Sequence, residues 1–189
     1  TLEDAIAAVI TRGRLIASLP PGAMLSVGGA VEHIEDRDFP GVEIACTNAP
    51  DHLVLSGELT PISEVADVLQ SEGYAVRRLA TSHAFHSRSL EAVLEPFADA
   101  IASRALGRPE IPIISNVFGA PLSDHDAADP AYWVRHMRDP VRFSYCVAYV
   151  EEQYPGATYL EVGPGQTTRS LLLKNGIARD RIVASMRRA

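Results

Sequence analysis

The chain has 189 residues, 47% of them hydrophobic and 22% charged, with a net charge of −7 at neutral pH; that is the composition of one globular domain or one and a half, not of a disordered segment. The negative balance excludes a nucleic-acid platform, which needs a basic field to neutralise phosphates; Arg181, Arg187 and Arg188 near the end are too few to reverse it. No run of about 18 uncharged apolar residues is present to span a bilayer, and Cys46 and Cys146 lie too far apart for metal-knuckle spacing or a disulfide framework, so the expected setting is a reducing one, the cytoplasm.

Thr1-Leu2-Glu3-Asp4 reads as a capping box with Asp in the usual Glu position. Ile6, Val9 and Ile10 then form one apolar face of a helix running towards Leu19, stopped by Pro20-Pro21-Gly22. Gly13 interrupts that helix at a cost of about 1 kcal/mol relative to Ala, which calls for close backbone packing in compensation. The start on Thr1, without Met, is what an excised fragment would have.

From Ala23 to Leu79 the pattern changes to short strands, Ala23 to Val27, Val42 to Thr47, Leu53 to Ser56 and Tyr74 to Leu79. The spacing predicts a helix N-capped by Thr60 with Pro61 first, burying Ile62, Val65, Ala66 and Leu69 and closed by Gly73. With a short helical segment at Val31 to Glu35 the order is βαββαβ, the ferredoxin-like arrangement. Thr81-Ser82-His83-Ala84-Phe85-His86-Ser87 follows, two imidazoles at a strand end before a helix striped by Leu90, Val93, Leu94, Phe97 and Ile101.

Ile111 to Val117 reads as a buried strand, and Asp129-Pro130 opens a helix carrying Trp133, Met137, Arg135 and His136 up to Pro140. A helix from about Ser144 to Gln153, a strand at Tyr159 to Val162, the turn Gly163-Pro164-Gly165, a helix from Gln166 to Asn175 and a strand at Arg181 to Met186 complete the chain. The alternation outside residues 22–80 predicts an α/β fold, a parallel layer holding the α+β unit as an insert. His33, His52 and His125 read as exposed, and the acidic cluster Asp124, Asp126 and Asp129 as a solvated loop without the glycine and Glu of a calcium loop.

His83-Ala84-Phe85-His86-Ser87, with Arg12-Gly13-Arg14-Leu15 before it, Tyr132-Trp133-Val134-Arg135-His136 after it and Glu161-Val162-Gly163-Pro164-Gly165 beyond, resembles the acyltransferase domain of type I polyketide synthases over Thr1 to Arg188. The resemblance implies a ferredoxin-like subdomain at 22–80 and part of an α/β-hydrolase-like catalytic subdomain at 1–21 and 81–189. It implies transfer of an acyl unit from coenzyme A to a serine and then to the phosphopantetheine thiol of an acyl carrier protein, with no bound cofactor and no metal. By resemblance His86 is the catalytic base, since an imidazole near its ordinary pKa both takes and returns a proton. Arg12 is the clamp for the substrate carboxylate, as a guanidinium pairs bidentately with one. His83 and Phe85 shape the acyl pocket, the ring filling the space of a 2-methyl branch and favouring malonyl-CoA, and His136 stands where a main-chain carbonyl holds the base.

The family's serine lies in a Gly-His-Ser-x-Gly elbow, and no Gly-x-Ser-x-Gly occurs in the chain. The expectation is a base without its nucleophile, the N-terminal half of the domain being elsewhere and an apolar face exposed where it would pack. A second reading is an inactive module that recognises carrier protein.

Overall fold

The structure, a computed structural model, describes residues 1–186; Arg187 and Arg188 lie outside them. Helix α1 (Leu2–Ala17) begins on the capping box, with Thr1 Oγ1 accepting from the Asp4 N–H and the Asp4 carboxylate accepting from Thr1. At 100° per residue Ala8, Leu15, Ile16 and Leu19 fall on one side, and these are the residues packed against the core. Leu2, Ile6, Val9, Ile10 and Gly13 fall on the other. The apolar face expected to pack is therefore exposed, Val9 to 68%. Nothing lies within 4 Å of a Cβ built on Gly13, so the expected close packing there is absent because Gly13 is on the open side.

The unit that follows is built as its pattern predicts. Strands β1 (Ala23–Gly28), β2 (Val42–Ala49), β3 (His52–Gly57) and β4 (Ala75–Arg78), with helices α2 (Glu32–Glu35) and α3 (Leu59–Ser71), run in the order βαββαβ. The sheet order is β2-β3-β1-β4, with every neighbour antiparallel. Leu25, Val27, Leu53 and Leu55 on the sheet meet Val31, Ile34, Ile62, Val65 and Leu69 beneath the helices. Helix α3 starts before the predicted cap: its N-cap is Glu58, without a side-chain bond. Thr60 and Pro61 sit inside the first turn, where a missing N–H costs nothing because those groups have no intrahelical partner.

Beyond the histidine segment the chain makes a 3₁₀ turn, Arg88–Val93, that runs into α4 (Leu94–Ala102). Leu90, Val93, Phe97 and Ile101 are buried there with Ile16 and Met137. The strand expected over Ile111 to Val117 shrinks to β5 (Ile114–Ser115), paired only with β6 (Ala120–Pro121). Pro112 removes a ladder donor, and Ile111, 77% exposed, has no neighbouring strand among the described residues.

Helices α5 (Asp124–Ala128), α6 (Pro130–Arg138), α7 (Phe143–Gln153) and α8 (Thr167–Lys174) and strands β7 (Tyr159–Glu161) and β8 (Ile182–Ala184) complete the order. The acidic cluster is not a loop. Ser123 caps α5 and binds the Asp126 carboxylate, while Asp129 caps α6 through the Ala131 N–H. Among the described residues the parallel layer is one pair, β7 with β8. No described helix is long and apolar enough to cross a membrane.

Two sets of main-chain hydrogen bonds tie the sheet unit to the rest. The chain leaves and returns side by side, Gly22 N–H donating to the Ser82 carbonyl at 3.0 Å and Leu79 N–H to the Met24 carbonyl at 2.9 Å. Val141, just past α6, adds to the free edge of β2, its N–H donating to Ala45 at 2.8 Å and its carbonyl accepting from Thr47 at 2.9 Å.

Candidate active site

His86 is the one described non-glycine residue with a positive φ, 56°. A left-handed backbone at such a residue is uncommon, costs about 1–3 kcal/mol, and persists where the surroundings impose it. What imposes it here is visible on both sides. Ala84 and Ser87 are buried, and Ser87 Oγ donates back to the Ala84 carbonyl at 2.8 Å and accepts from the Ser89 N–H, starting the 3₁₀ turn. Gly22 presses on the same loop: a Cβ there would lie 2.6 Å from the Ala84 nitrogen.

The imidazole is held by one nitrogen. Nδ1 lies 2.9 Å from the Asp139 carbonyl, which makes Nδ1 the protonated nitrogen and leaves the Nε2 lone pair available. The carbonyl is that of Asp139, not of His136 as the sequence leads one to expect. Helix α6 ends at Arg138, and Asp139 is extended (φ −73°, ψ 157°), so its carbonyl turns out of the helix towards the histidine loop while His136 is still in the last helical turn. Pro140, directly after, was the sequence signal for that break. Burial lowers the His86 pKa to about 4, the Asp139 carbonyl opposing the shift and Arg12, His136 and Arg138 adding to it. At neutral pH the ring is an uncharged acceptor.

Arg12 projects from the buried side of α1. It is half-buried, and burial alone accounts for the lowering of its pKa; no carboxylate neutralises it among the described residues. Arg12 and His136 line one cavity of about 380 Å³, with Phe97, Ile101, Trp133 and Met137 forming apolar wall. Burial and then Arg12 lower the His136 pKa, and its ring lies 5.9 Å from that of Trp133. An unpaired guanidinium sharing a cavity with the His136 imidazole is a place for an anion; His86, His83 and Phe85 do not line this cavity.

His83 faces differently from His86. Its Nε2 is 3.2 Å from the Leu19 carbonyl and its Nδ1 2.8 Å from Ser82 Oγ, so both nitrogens are engaged by the linkers. Phe85 meets the His83 ring edge-on at 6.4 Å and fills the seam between the Met24, Ala45 and Val54 cluster and the Ile16 and Leu90 cluster. Of the remaining histidines, His33 and His125 are exposed. His52 is not: it is half-buried, its Nε2 2.9 Å from Ser26 Oγ. Burial pushes the Cys46 and Cys146 thiols up to about 11, so neither is a thiolate at neutral pH.

An uncharged imidazole held at Nδ1 and an arginine with no carboxylate partner among the described residues are the parts of a site that moves a proton and binds an anion. The chain belongs to the acyltransferase family: residues 1–188 match the Acyl transferase domain. It is 42% identical over 165 residues to mycoketide-CoA synthase of Mycobacterium tuberculosis, covering 87% of this chain and 4% of that protein. It is 37% identical over 189 residues to the phenolphthiocerol synthesis polyketide synthase Pks15/1 of Mycobacterium marinum, covering 98% and 9%.

Among solved structures, the acyltransferase domain from the second module of the salinomycin polyketide synthase superposes with a TM-score of 0.90 at 32% identity, over 99% of this chain and 45% of that one. A malonyl-CoA-acyl carrier protein transacylase from Burkholderia pseudomallei gives 0.81 at 27% identity, over 89% and 61%. The chain is thus part of a polyketide synthase acyltransferase domain, spanning under half the length of the salinomycin domain.

Proposed function

We propose that this chain is the histidine- and arginine-bearing part of an acyltransferase that moves malonyl from malonyl-CoA, through an acyl-serine, to the phosphopantetheine thiol of an acyl carrier protein in the cytoplasm. The observation that carries the reading is His86, strained into a left-handed conformation, fixed at Nδ1 by Asp139 and open at Nε2. In the first half-reaction Nε2 takes the serine proton as the oxygen attacks the thioester carbonyl, then gives it to the departing coenzyme A sulfur. In the second the carrier thiol gives its proton to Nε2, its sulfur attacks the acyl-serine, and the serine oxygen leaves with that proton.

Arg12 pairs with the free carboxylate of malonyl, which orients the acyl group and disfavours acetyl. Phe85, only partly buried in its seam, would crowd the carbon between the two carbonyls, with His83 adding bulk beside it while its nitrogens stay on Leu19 and Ser82, a steric filter of about 1–3 kcal/mol against a 2-methyl branch. The ferredoxin-like unit over 22–80 and the partial α/β-hydrolase-like layer around it would form the two walls of the cleft. The serine would come from a segment outside these 189 residues that covers the open face of α1; the absence of Gly-x-Ser-x-Gly and the exposed Ile6, Val9 and Ile10 support this.

The test joins this chain to the nucleophile-bearing segment and follows malonyl loading of the serine by intact-protein mass spectrometry. His86→Ala should slow loading by about 10²- to 10⁴-fold; loading at the unaltered rate would remove His86 as base. Capture of carrier protein with no loading by any variant would favour the recognition-module reading instead.

A further inference from the structure

Glu43 is a residue of the sheet unit, on the edge strand β2, yet its carboxylate is spent wholly on the mount of His86. Its Oε2 accepts from the backbone N–H of Arg88 at 3.0 Å and its Oε1 from the Arg88 side-chain Nε at 2.8 Å, two residues beyond His86. The same carboxylate stands 2.9 Å from the Arg138 guanidinium, at the last residue of α6, next to the Asp139 whose carbonyl holds the imidazole.

One carboxylate thus joins the segment that carries the base to the segment that carries the base's acceptor. The Val141 bridge on β2, to Ala45 and Thr47, fixes the second of these segments, the one after α6, to the same strand from the main chain. Glu43 and Arg138 have only 21% and 22% of their side chains exposed, so that arm of the link is screened less than an ordinary surface pair, whereas the Arg88 side chain is 65% exposed and its arm adds the backbone N–H. Glu91, the other partner of Arg138, is 63% exposed and more distant at 3.5 Å; it could not replace Glu43.

We propose that Glu43 is a positioning residue: bridging Arg88 and Arg138, it holds the His86 ring against the Asp139 carbonyl and so selects the tautomer whose Nε2 is unprotonated. The proposal rests on His86 acting as the base, but it concerns the geometry of the ring and can be tested without any acyl transfer. An imidazole held through Nδ1–H to a carbonyl is locked in one tautomer; released, it distributes between two, and only one of them can take a proton at Nε2. The charged and titratable groups that act on the ring are Arg12 on α1 and His136 and Arg138 on α6. Glu43 is therefore also the anion that offsets the two arginines nearest the mount.

The experiment is nitrogen-15 NMR of the histidine side chains in this chain joined to the nucleophile-bearing segment, which reads Nδ1 and Nε2 protonation directly. In the unaltered chain His86 should be a single Nδ1–H tautomer. In Glu43→Gln the neutral amide cannot satisfy both arginines, and the Nε2–H form should rise to a comparable or larger share, with the amide signals of Leu25, Leu53 and Leu55 unmoved. Glu43→Asp, which keeps the charge but falls short by one methylene, should restore the Nδ1–H form only in part.

A merely structural role would lower the melting temperature and leave the tautomer alone; an unchanged Nδ1–H tautomer in a folded Glu43→Gln chain overturns the proposal. Should that variant not fold, Arg138→Gln severs the same bridge from the other side with Glu43 in place, and an unchanged tautomer there overturns it equally. Failure of either variant to move the tautomer leaves the serine-loading result with His86→Ala standing on its own.

Discussion

The sheet unit from Ala23 to Arg78 and the helices that flank it obey the same sequence rules and end in opposite conditions. In the unit every large apolar residue of the inner face has a partner: Leu25, Leu53, Leu55 and Leu69 are at most 1% exposed. In the flanking part, α1 and the β7–β8 pair turn Ile6, Val9, Leu160 and Val183 to solvent, Val9 to 68%. The difference is one of closure. The unit buries its period-2 and period-3.6 stripes on each other within one stretch of chain, whereas α1 carries two apolar sides and uses one. An apolar stripe shows that something packs on it, not what.

The comparison can be broken most sharply in the closed unit. Leu53→Ala should cost about 2–5 kcal/mol, read as a lowered midpoint in urea unfolding; a cost below 1 kcal/mol would mean that the unit is not the tight core described. The next effect is electrostatic and belongs to the seam between the two parts. Unfolded, His86 takes a proton near its ordinary pKa of about 6.5; folded, it does so only near 4.

Between those values the unfolded state binds more protons, so the contribution is fully present above about pH 6.5 and is lost as pH falls through about 4. At about 1.4 kcal/mol per unit the His86 part is at most about 3.5 kcal/mol, to which His52 and His136, lowered in the same sense, add. Unfolding free energies of His86→Gln across that window should slope less steeply with pH than those of the unaltered chain; identical slopes would contradict the burial of the ring.

Gly22→Ala should cost about 1–3 kcal/mol, the penalty of overpacking, because its Cβ meets Ala84 backbone with nowhere to go. Amide shifts in the NMR spectrum should concentrate between Ser82 and Ser87. The smallest effect lies on the open side of α1. Ile6→Ala should change stability by no more than about 0.5 kcal/mol, but by about 2 kcal/mol or more once the proposed serine-bearing segment covers that face. Equal effects in the two settings would show that the segment packs elsewhere.

Much of this was legible in the residues because it is local. The capping box at Thr1 and Asp4, the Asp129-Pro130 start of α6 and the βαββαβ order all follow from turn chemistry and periodicity. The approximate place of Arg12 and His86 came from resemblance. What escaped has a common cause: it depends on contacts between distant stretches. The Ile111 to Val117 run looks like a strand, but a strand exists only where a neighbour offers a ladder. The Asp139 carbonyl replaces that of His136 because of how a helix frays at Pro140, and Glu43 reaches Arg88 and Arg138 across the seam. The positive φ of His86 could not be read from the residue type, since histidine takes that conformation more often than most residues but still rarely.

The adjacency of Gly22 and Ser82 has a consequence for the whole chain. A polypeptide that departs and returns within one hydrogen bond of itself has, for the helices around it, a loop of zero span. The entropy of closing such a loop grows only slowly with its length, and the unit supplies its own core. The four-stranded unit should therefore lengthen or shorten with little penalty to its surroundings, provided it keeps one edge strand on which Val141 can lie.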